Sequence, residues 1–215
     1  GFKGRDLKII NMPFVGSYPL RYADHYVRGA RSRDIFNSSI ITEVGFLNYF
    51  VAKYFARFFS LLFFLLKNNI NKESKIIVYS LHTPFLAATW LATKIKRRKI
   101  QFFVIIPDLP EFMSDSKNIF YLLFKKIDGF FSEFFLGKSN GCILLTEGMA
   151  DYLRLLPNEY IVVEGVSRPD VGAEVSRNSV NRNVILYTGT LARRYGVCEL
   201  VDAFNELKDD NVELW

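Results

Sequence analysis

Short apolar runs alternate along the chain with longer segments whose apolar residues recur at helical spacing. The short runs are rich in β-branched and aromatic residues, which predicts β-strands. They cover residues 7–10, 75–81, 100–106, 141–145, 160–163 and 184–187. The helical patterns cover residues 42–67, 84–96, 117–136, 147–155 and 197–207, with Thr42 as the expected N-cap of the first.

The order of these elements indicates the fold class. Strand and helix alternate, and the strands are apolar at consecutive positions instead of at every second one. Such strands are typical of parallel sheets that crossover helices cover. The sequence therefore predicts a doubly wound α/β fold, with a Rossmann-like parallel sheet and helices on both faces.

A change of composition near residue 170 suggests two domains. Residues 167–183 contain many turn formers and almost no aliphatic pattern, which is typical of a linker or long loop. We expect an N-terminal domain over residues 1–170, a linker over 171–183 and the start of a second Rossmann-like domain over 184–215. The sequence begins without an initiator Met and ends in what reads as the first half of a strand, so we expect it to be part of a longer protein.

The phenylalanine- and leucine-rich segment 46–66 has the length of a bilayer span. Lys53 and Arg57 interrupt it, and each charge near a bilayer centre costs about 2.5 to 3.5 kcal/mol, which argues against a span. Two interpretations remain. The segment is either a helix that packs on the sheet with Lys53, Arg57 and Lys67 directed outward, or a helix that lies in the membrane interface.

Composition and charge narrow the classes of function. An apolar content of 50% in 215 residues excludes a disordered chain. Cys142 and Cys198 do not form a disulfide framework, which fits a reducing, cytoplasmic compartment. His25 and His82 lack metal-ligand spacing, so we expect no bound metal. A net charge of +6 suits phosphate-bearing ligands, nucleic acid or an anionic membrane surface.

Candidate site residues follow the predicted strands, because ligands of open parallel sheets bind beyond the carboxyl ends of the strands. The polar residues at these ends are Asn11, His82, Asp108, Thr146, Glu147 and Glu164. Ser17 and Tyr18 lie in a turn expected at the same edge. The alternative is that His82 and Thr146 cap the helices that follow them.

The segment around Asp108 is the strongest of these candidates. Pro107 and Pro110 flank the acid and fix the backbone that aims its carboxylate, and Glu111 follows directly.

A second candidate cluster lies in the expected second domain. A strand ends near Gly189, a short loop carries Arg193 and Arg194, and a helix follows. Backbone amides, a helix dipole and guanidinium groups together suit a pyrophosphate. Neither a P-loop nor a G-x-G-x-x-G pattern is present, so an ordinary βα turn with solvated arginines is the alternative.

Five motifs occur in an order that resembles glycosyltransferase family 4. They are His82-Thr83-Pro84, Asp108-Leu109-Pro110-Glu111, residues 145–149 (Leu-Thr-Glu-Gly-Met), residues 163–166 (Val-Glu-Gly-Val), and the stretch from Tyr187 through Gly196 to Phe204. The resemblance covers residues 75–215 well and the first seventy residues weakly. It implies the GT-B arrangement, in which an N-terminal domain binds the acceptor and a C-terminal domain binds a nucleotide sugar.

The resemblance also implies the chemistry. Family members transfer sugar with retention of anomeric configuration and need no metal or other cofactor, since the nucleotide-diphosphate sugar is the substrate. Many of them read G-R-L-x-x-x-K-G where this chain has Thr190 at the Arg position and Tyr195 at the Lys position. Arg193 and Arg194 are the nearest replacements. The family's two donor-binding glutamates would fall beyond residue 215, so we expect these 215 residues alone to be inactive.

The resulting prediction is a hexosyltransferase of cell-surface polysaccharide synthesis that acts on a glycan or lipid-linked acceptor, peripherally on the inner membrane face. Asp108 or Glu147 would orient the acceptor hydroxyl. Acceptor binding is expected at Asn11, Ser17, Tyr18, His82 and Glu111, and donor binding at Gly189, Thr190, Arg193 and Arg194.

Two other classes of function stay open at the level of sequence. One is a nucleotide-binding Rossmann module without transfer chemistry. The other is a nucleic-acid binder, suggested by the basic residues in 94–99 and by the arginines at 21, 28, 31 and 33. No base-stacking motif or recognition-helix pattern accompanies these bases, so we expect a solvated basic face and no nucleic-acid partner.

Overall fold

The computed structural model describes residues 7–33, 40–50, 52–68, 70, 73–96, 100–109, 119–165, 183–189, 191, 193–207 and 211–215, without the side chains of 32, 33, 119–121 and 194. The chain divides into two compact units, Gly1–Val166 and Ser167–Trp215.

The first fifty residues contain five short strands. These are β1 (Lys8–Asn11), β2 (Tyr26–Val27), β3 (Arg31–Arg33), β4 (Ile40–Glu43) and β5 (Phe46–Leu47). Strand β4 pairs in parallel with β1 and antiparallel with β3, and β2 pairs antiparallel with β5. This part of the chain therefore forms two small sheets.

Helix α1 (Ala52–Lys67) begins ten residues later than the sequence pattern predicted. The prediction of a helix from Thr42 is wrong, because Thr42 lies in β4, opposite Ile10 of β1. The β-branched run Ile40–Thr42 favours an extended backbone, and pairing with β1 completes its hydrogen bonds. Gly45 then permits a close approach, since a Cβ there would lie 2.8 Å from the Val27 carbonyl oxygen.

A four-stranded parallel sheet follows in the order β6, β7, β8, β9. Its elements along the chain are β6 (Lys75–Tyr79), α2 (Thr83–Ile95), β7 (Gln101–Ile106), α3 (Ile119–Leu136), β8 (Cys142–Leu144), α4 (Glu147–Leu153) and β9 (Tyr160–Val162). Parallel neighbours need such crossover helices. The predicted α/β class with a Rossmann-like parallel sheet is confirmed.

The core of the first unit lies between this sheet and its helices. Since the strands neighbour one another in chain order, right-handed crossovers place α2, α3 and α4 on the same face. That face contributes Val78, Phe102, Val104, Ile106, Cys142 and Leu144, which pack with Leu86, Leu136, Met149 and Ala150 of the helices. Ile77, Tyr79 and Ile161 alternate to the other face and are exposed.

The helices of the first unit also pack on one another. Helix α2 contacts both α1 and α3. A second core of α1 and α2 side chains, which includes Leu61, Leu65 and Ala88, packs on Phe46 of β5. Among the described residues, no helix is both long enough and apolar enough to cross a bilayer.

The second unit is described from β10 (Asn183–Ile185) onward. One turn of 3₁₀-helix (Arg193–Tyr195) precedes α5 (Val197–Glu206), and β11 (Val212–Leu214) pairs in parallel with β10. This is one strand–helix–strand crossover. The predicted linker 171–183 lies outside the described residues except for Asn183.

Candidate functional site

The carboxyl ends of β6, β7, β8 and β9 meet at one edge of the parallel sheet. His82, Asp108, Glu147 and Glu164 follow these four strands in turn. Because adjacent strands lie about 4.8 Å apart, consecutive members of the series follow strands that are direct neighbours in the sheet. The structure therefore brings three of the predicted site residues, His82, Asp108 and Glu147, to one edge. Their roles stay predictions.

The two candidate catalytic carboxylates are both exposed at this edge. Asp108 follows β7, and the buried Leu109 beside it anchors the turn in the core. Glu147 is the first residue of α4, and its Oε2 accepts a 2.8 Å hydrogen bond from the Tyr160 hydroxyl of β9. This hydrogen bond raises the pKa of Tyr160. Tyr160 thus positions one of the carboxylates.

Helix capping does not account for the side chains of His82 and Thr146. Both residues occupy the N-cap position of a helix, His82 before α2 and Thr146 before α4, with extended backbones. Neither side chain makes a capping hydrogen bond. The His82 ring instead packs among Phe14, Tyr54 and Phe85.

Arg57 of α1 connects the loop after β1 with the end of β6. Its Nη2 donates a 2.7 Å hydrogen bond to the Pro13 carbonyl oxygen, and its Nη1 lies 3.5 Å from His82 Nε2. The rings of Phe14 and Phe46 lie 4.8 and 4.7 Å from the guanidinium carbon. The prediction that Arg57 points outward is wrong, because its side chain is only 3% exposed.

Burial controls the charge state of this cluster. Desolvation, followed by the charges of Arg57 and Lys53, lowers the pKa of His82 to about 3. Desolvation also lowers the pKa of Arg57. The pKa of Lys53 is lowered by desolvation and by the nearby charge of Arg57. A guanidinium group only donates hydrogen bonds, so His82 Nε2 accepts and the neutral imidazole carries its proton on Nδ1.

The neutral state of His82 predicts a pH-dependent stability. A histidine in the unfolded chain titrates near 6.5. Because the pKa of His82 is lower in the folded state, its contribution to the free energy of unfolding is fully present above pH 6.5. This contribution is lost as the pH falls toward 3. The free energy of unfolding should fall by about 1.4 kcal/mol per pH unit, which amounts to about 2 kcal/mol between pH 6.5 and 5. His82→Gln keeps an acceptor for Arg57 and should remove this component.

Urea unfolding at pH 7.5 and 5 measures the effect. His25→Gln, at an exposed position, is the control for removing a histidine. Equal losses of stability on acidification in the parent and in His82→Gln would contradict the assignment.

A cavity of about 710 Å³ lies beside the loop after β1. Its walls include Pro13 and Val15, and the carbonyl oxygens of these residues accept hydrogen bonds from Arg57 and Lys53. Charged and polar side chains, among them those of Asp24, His25, Arg28 and Glu43, complete the lining.

Two of the predicted acceptor residues, Asn11 and Tyr18, contact residues that line this cavity. Asn11 Nδ2 donates a 3.3 Å hydrogen bond to Oε1 of Glu43, which lines the cavity. The Tyr18 ring packs edge-on against His25, another lining residue, with 6.1 Å between the ring centroids. The backbone carbonyl oxygen of Ser17 accepts a 2.9 Å hydrogen bond from the Arg21 amide in a turn. Ser17 is therefore placed within the loop fold.

Asn48, which sequence reasoning did not single out, holds the same loop. Its side chain is fully buried, and Nδ2 donates a 2.9 Å hydrogen bond to the Gly16 carbonyl oxygen. The backbone carbonyl oxygen of Asn48 accepts a 2.9 Å hydrogen bond from the Tyr18 amide. A lone asparagine in a segment that the pattern assigned to a helix gave no signal of this role.

The predicted donor residues lie in the second unit. Gly189 and Arg193 are exposed, and Gly196 caps the N-terminus of α5 with a left-handed φ of 73°. Thr190 lies outside the described residues, as does Glu111 of the first unit. For Arg194 only the backbone, within the 3₁₀ turn, is described.

Comparison with solved structures yields matches at low sequence identity. One of the matching structures is that of a Listeria monocytogenes protein assigned as a UDP-N-acetylglucosamine 2-epimerase. It has a TM-score of 0.44 and 13% sequence identity, and the match covers 75% of this chain and 44% of that one. The chain thus spans less than half the length of that structure. No family model matches the sequence, and no curated protein matches it.

Proposed function

We propose that this chain contains the acceptor side, and the start of the donor side, of a retaining, metal-independent glycosyltransferase. The enzyme would transfer a sugar from a nucleotide sugar to a glycan or lipid-linked acceptor in cell-surface polysaccharide synthesis. The observation that carries the proposal is the placement of His82, Asp108 and Glu147 at the ends of three neighbouring parallel strands. Their motif order, which resembles that of glycosyltransferase family 4, supports it.

In this proposal the first unit orients the acceptor. Asp108 or Glu147 accepts a hydrogen bond from the attacking hydroxyl, and the Tyr160–Glu147 hydrogen bond restricts the position of one carboxylate. The new glycosidic bond forms at the anomeric carbon as its bond to the diphosphate oxygen breaks. The electron pair of that bond stays on the nucleoside diphosphate, and the hydroxyl proton leaves with it.

The second unit would stabilise the leaving diphosphate. Negative charge develops on the β-phosphate in the transition state, where guanidinium groups and backbone amides near a helix N-terminus act electrostatically. Arg193 stands one turn before α5, and Gly189 is exposed between β10 and that turn.

Single Arg193→Ala and Arg194→Ala variants of the intact protein test this donor role. At least one of them should lower kcat about tenfold to hundredfold, because a charge-assisted hydrogen bond is worth about 1.5 to 3 kcal/mol. Release of nucleoside diphosphate from a labelled nucleotide sugar gives the rate. Lys94→Ala, at an exposed position at the end of α2, is the control. Turnover within threefold of the parent in both arginine variants would count against the role.

A further inference from the structure

Helix α3 is apolar on the side that faces solvent. Leu123, Ile127, Phe130 and Phe134 form a row at spacings of three and four residues, and all are exposed, Phe130 by 68%. Leu122, Phe124 and Phe131 extend this apolar surface on both flanks. A helix of a water-soluble domain normally turns such a row toward the core.

The inward side of α3 carries polar and small residues in its middle turns, and Leu136 packs into the core at its end. Ser132 is 1% exposed, and its hydroxyl donates a 2.8 Å hydrogen bond to the Gly129 carbonyl oxygen. The Asp128 carbonyl oxygen accepts a 3.1 Å hydrogen bond from Thr83 of α2, and burial raises the pKa of the Asp128 carboxyl. The polarity of α3 is thus inverted along much of its length.

Helix α1 also exposes an apolar row, although Leu61, Leu62 and Leu65 on its other side are buried. Phe55, Phe59 and Phe63 form one row at intervals of four residues and are 64%, 48% and 65% exposed. Arg57 lies on the opposite, buried side of the helix. The two helices both pack on α2, and Tyr54 of α1 contacts Phe124 of α3 with 5.1 Å between ring centroids. They therefore belong to one helix layer.

Basic residues border both apolar rows. Lys67 is exposed one turn after Phe63, and Lys126 is exposed one turn before Phe130. The Lys138 ammonium lies 5.1 Å from the centroid of the Phe134 ring. Helix α1 contains no acidic residue, and among the described side chains of α3 the exposed acid is Glu133. This surface is therefore apolar with a positive border.

We propose that the outer faces of α1 and α3 dock on an anionic phospholipid bilayer. Aromatic rings beside lysine side chains suit the headgroup level, where rings enter the acyl boundary and ammonium groups meet lipid phosphate. Contiguous exposed apolar surface of this extent marks an interaction site. The positive border favours an anionic lipid surface over a second copy of this chain, whose equally positive border would repel it. The proposal uses none of the residues assigned to sugar transfer.

Vesicle co-sedimentation tests the proposal. The chain should sediment with vesicles that contain phosphatidylglycerol, bind vesicles of pure phosphatidylcholine more weakly, and dissociate as salt rises from about 0.05 to 0.5 M. The double variant Phe63→Ser/Phe130→Ser should bind about tenfold more weakly or worse, because both side chains lose apolar burial in the interface. Leu156→Ser, at a residue 61% exposed before β9, is the matched control and should bind like the parent.

A second measurement does not depend on a loss of binding. Brominated lipid in anionic vesicles should quench the fluorescence of the tryptophan introduced by Phe130→Trp, but not that of the tryptophan introduced by Leu156→Trp. Protein that stays in the supernatant with anionic vesicles at low salt overturns the proposal. A dimer that Phe63→Ser/Phe130→Ser converts to monomer also overturns it, since a second copy then covers this surface.

Discussion

Asp108→Asn and Glu147→Gln are expected to lower the rate of sugar transfer by the intact protein, one of them by about 10² to 10⁴-fold. A carboxylate that orients the attacking hydroxyl while its proton passes to the diphosphate makes a contribution of this order. The amide keeps the size of the side chain and removes the charge that binds the hydroxyl proton. Both carboxylates are exposed at the sheet edge, so the substitutions should leave the folded state intact.

The separate effects of each substitution on kcat and on KM identify the catalytic residue. A group that acts in the transition state lowers kcat with little change in the KM for the acceptor, whereas a group that only binds the acceptor raises KM. Asp151→Asn, at an exposed position on α4 one turn after Glu147, is the matched control. Parent-like kcat values in both Asp108→Asn and Glu147→Gln would remove these residues from the mechanism.

Arg57→Ala is expected to lower the free energy of unfolding by about 3 to 5 kcal/mol. It removes the charge-assisted hydrogen bond to Pro13 and the contacts with the Phe14 and Phe46 rings, and it leaves His82 Nε2 buried without its donor. The substitution also removes the desolvation cost of the buried guanidinium group, which offsets part of this loss. Urea unfolding at pH 7.5 measures the difference.

Two further variants separate the causes. Lys67→Ala, at the exposed end of the same helix, should change stability by no more than about 0.5 kcal/mol. Arg57→Lys keeps the charge but not the planar group, so it should fall between the parent and Arg57→Ala. A parent-like stability for Arg57→Ala would mean that the contact between α1 and the loop after β1 does not hold the structure.

The parallel sheet could be predicted from the sequence because its signals are local. The runs at 75–81, 100–106, 141–145 and 160–163 are short, apolar and rich in β-branched residues, and each contains the observed strand. The helices between them follow from periodicity alone. Their alternation with the strands then fixes a parallel sheet and places His82, Asp108 and Glu147 at one edge.

The first fifty residues could not be read in the same way. The segment 40–47 pairs with β1 and β2, which lie far from it in the chain, and its apolar spacing also fits a helix. Non-local pairing therefore overrode the local pattern.

The helical spacing of Arg57 with two leucines indicated its burial, but its charge suggested an exposed position. Arg57, Leu61 and Leu65 share one row of α1, and this row is buried. The row of Phe55, Phe59 and Phe63 on the opposite side is more hydrophobic and is exposed. Because we assumed that charged side chains face water and phenylalanines face the core, we predicted the wrong side of α1 to be buried.

The most direct test of the central claim is the stereochemistry of the product that the intact protein makes from a nucleotide sugar. The protein, a nucleotide sugar and a glycan or lipid-linked acceptor are incubated, and proton NMR follows the anomeric signals with time. The account predicts release of nucleoside diphosphate together with a new glycoside of the same anomeric configuration as the donor. An inverted glycoside, or an epimerised nucleotide sugar formed without transfer, would contradict it.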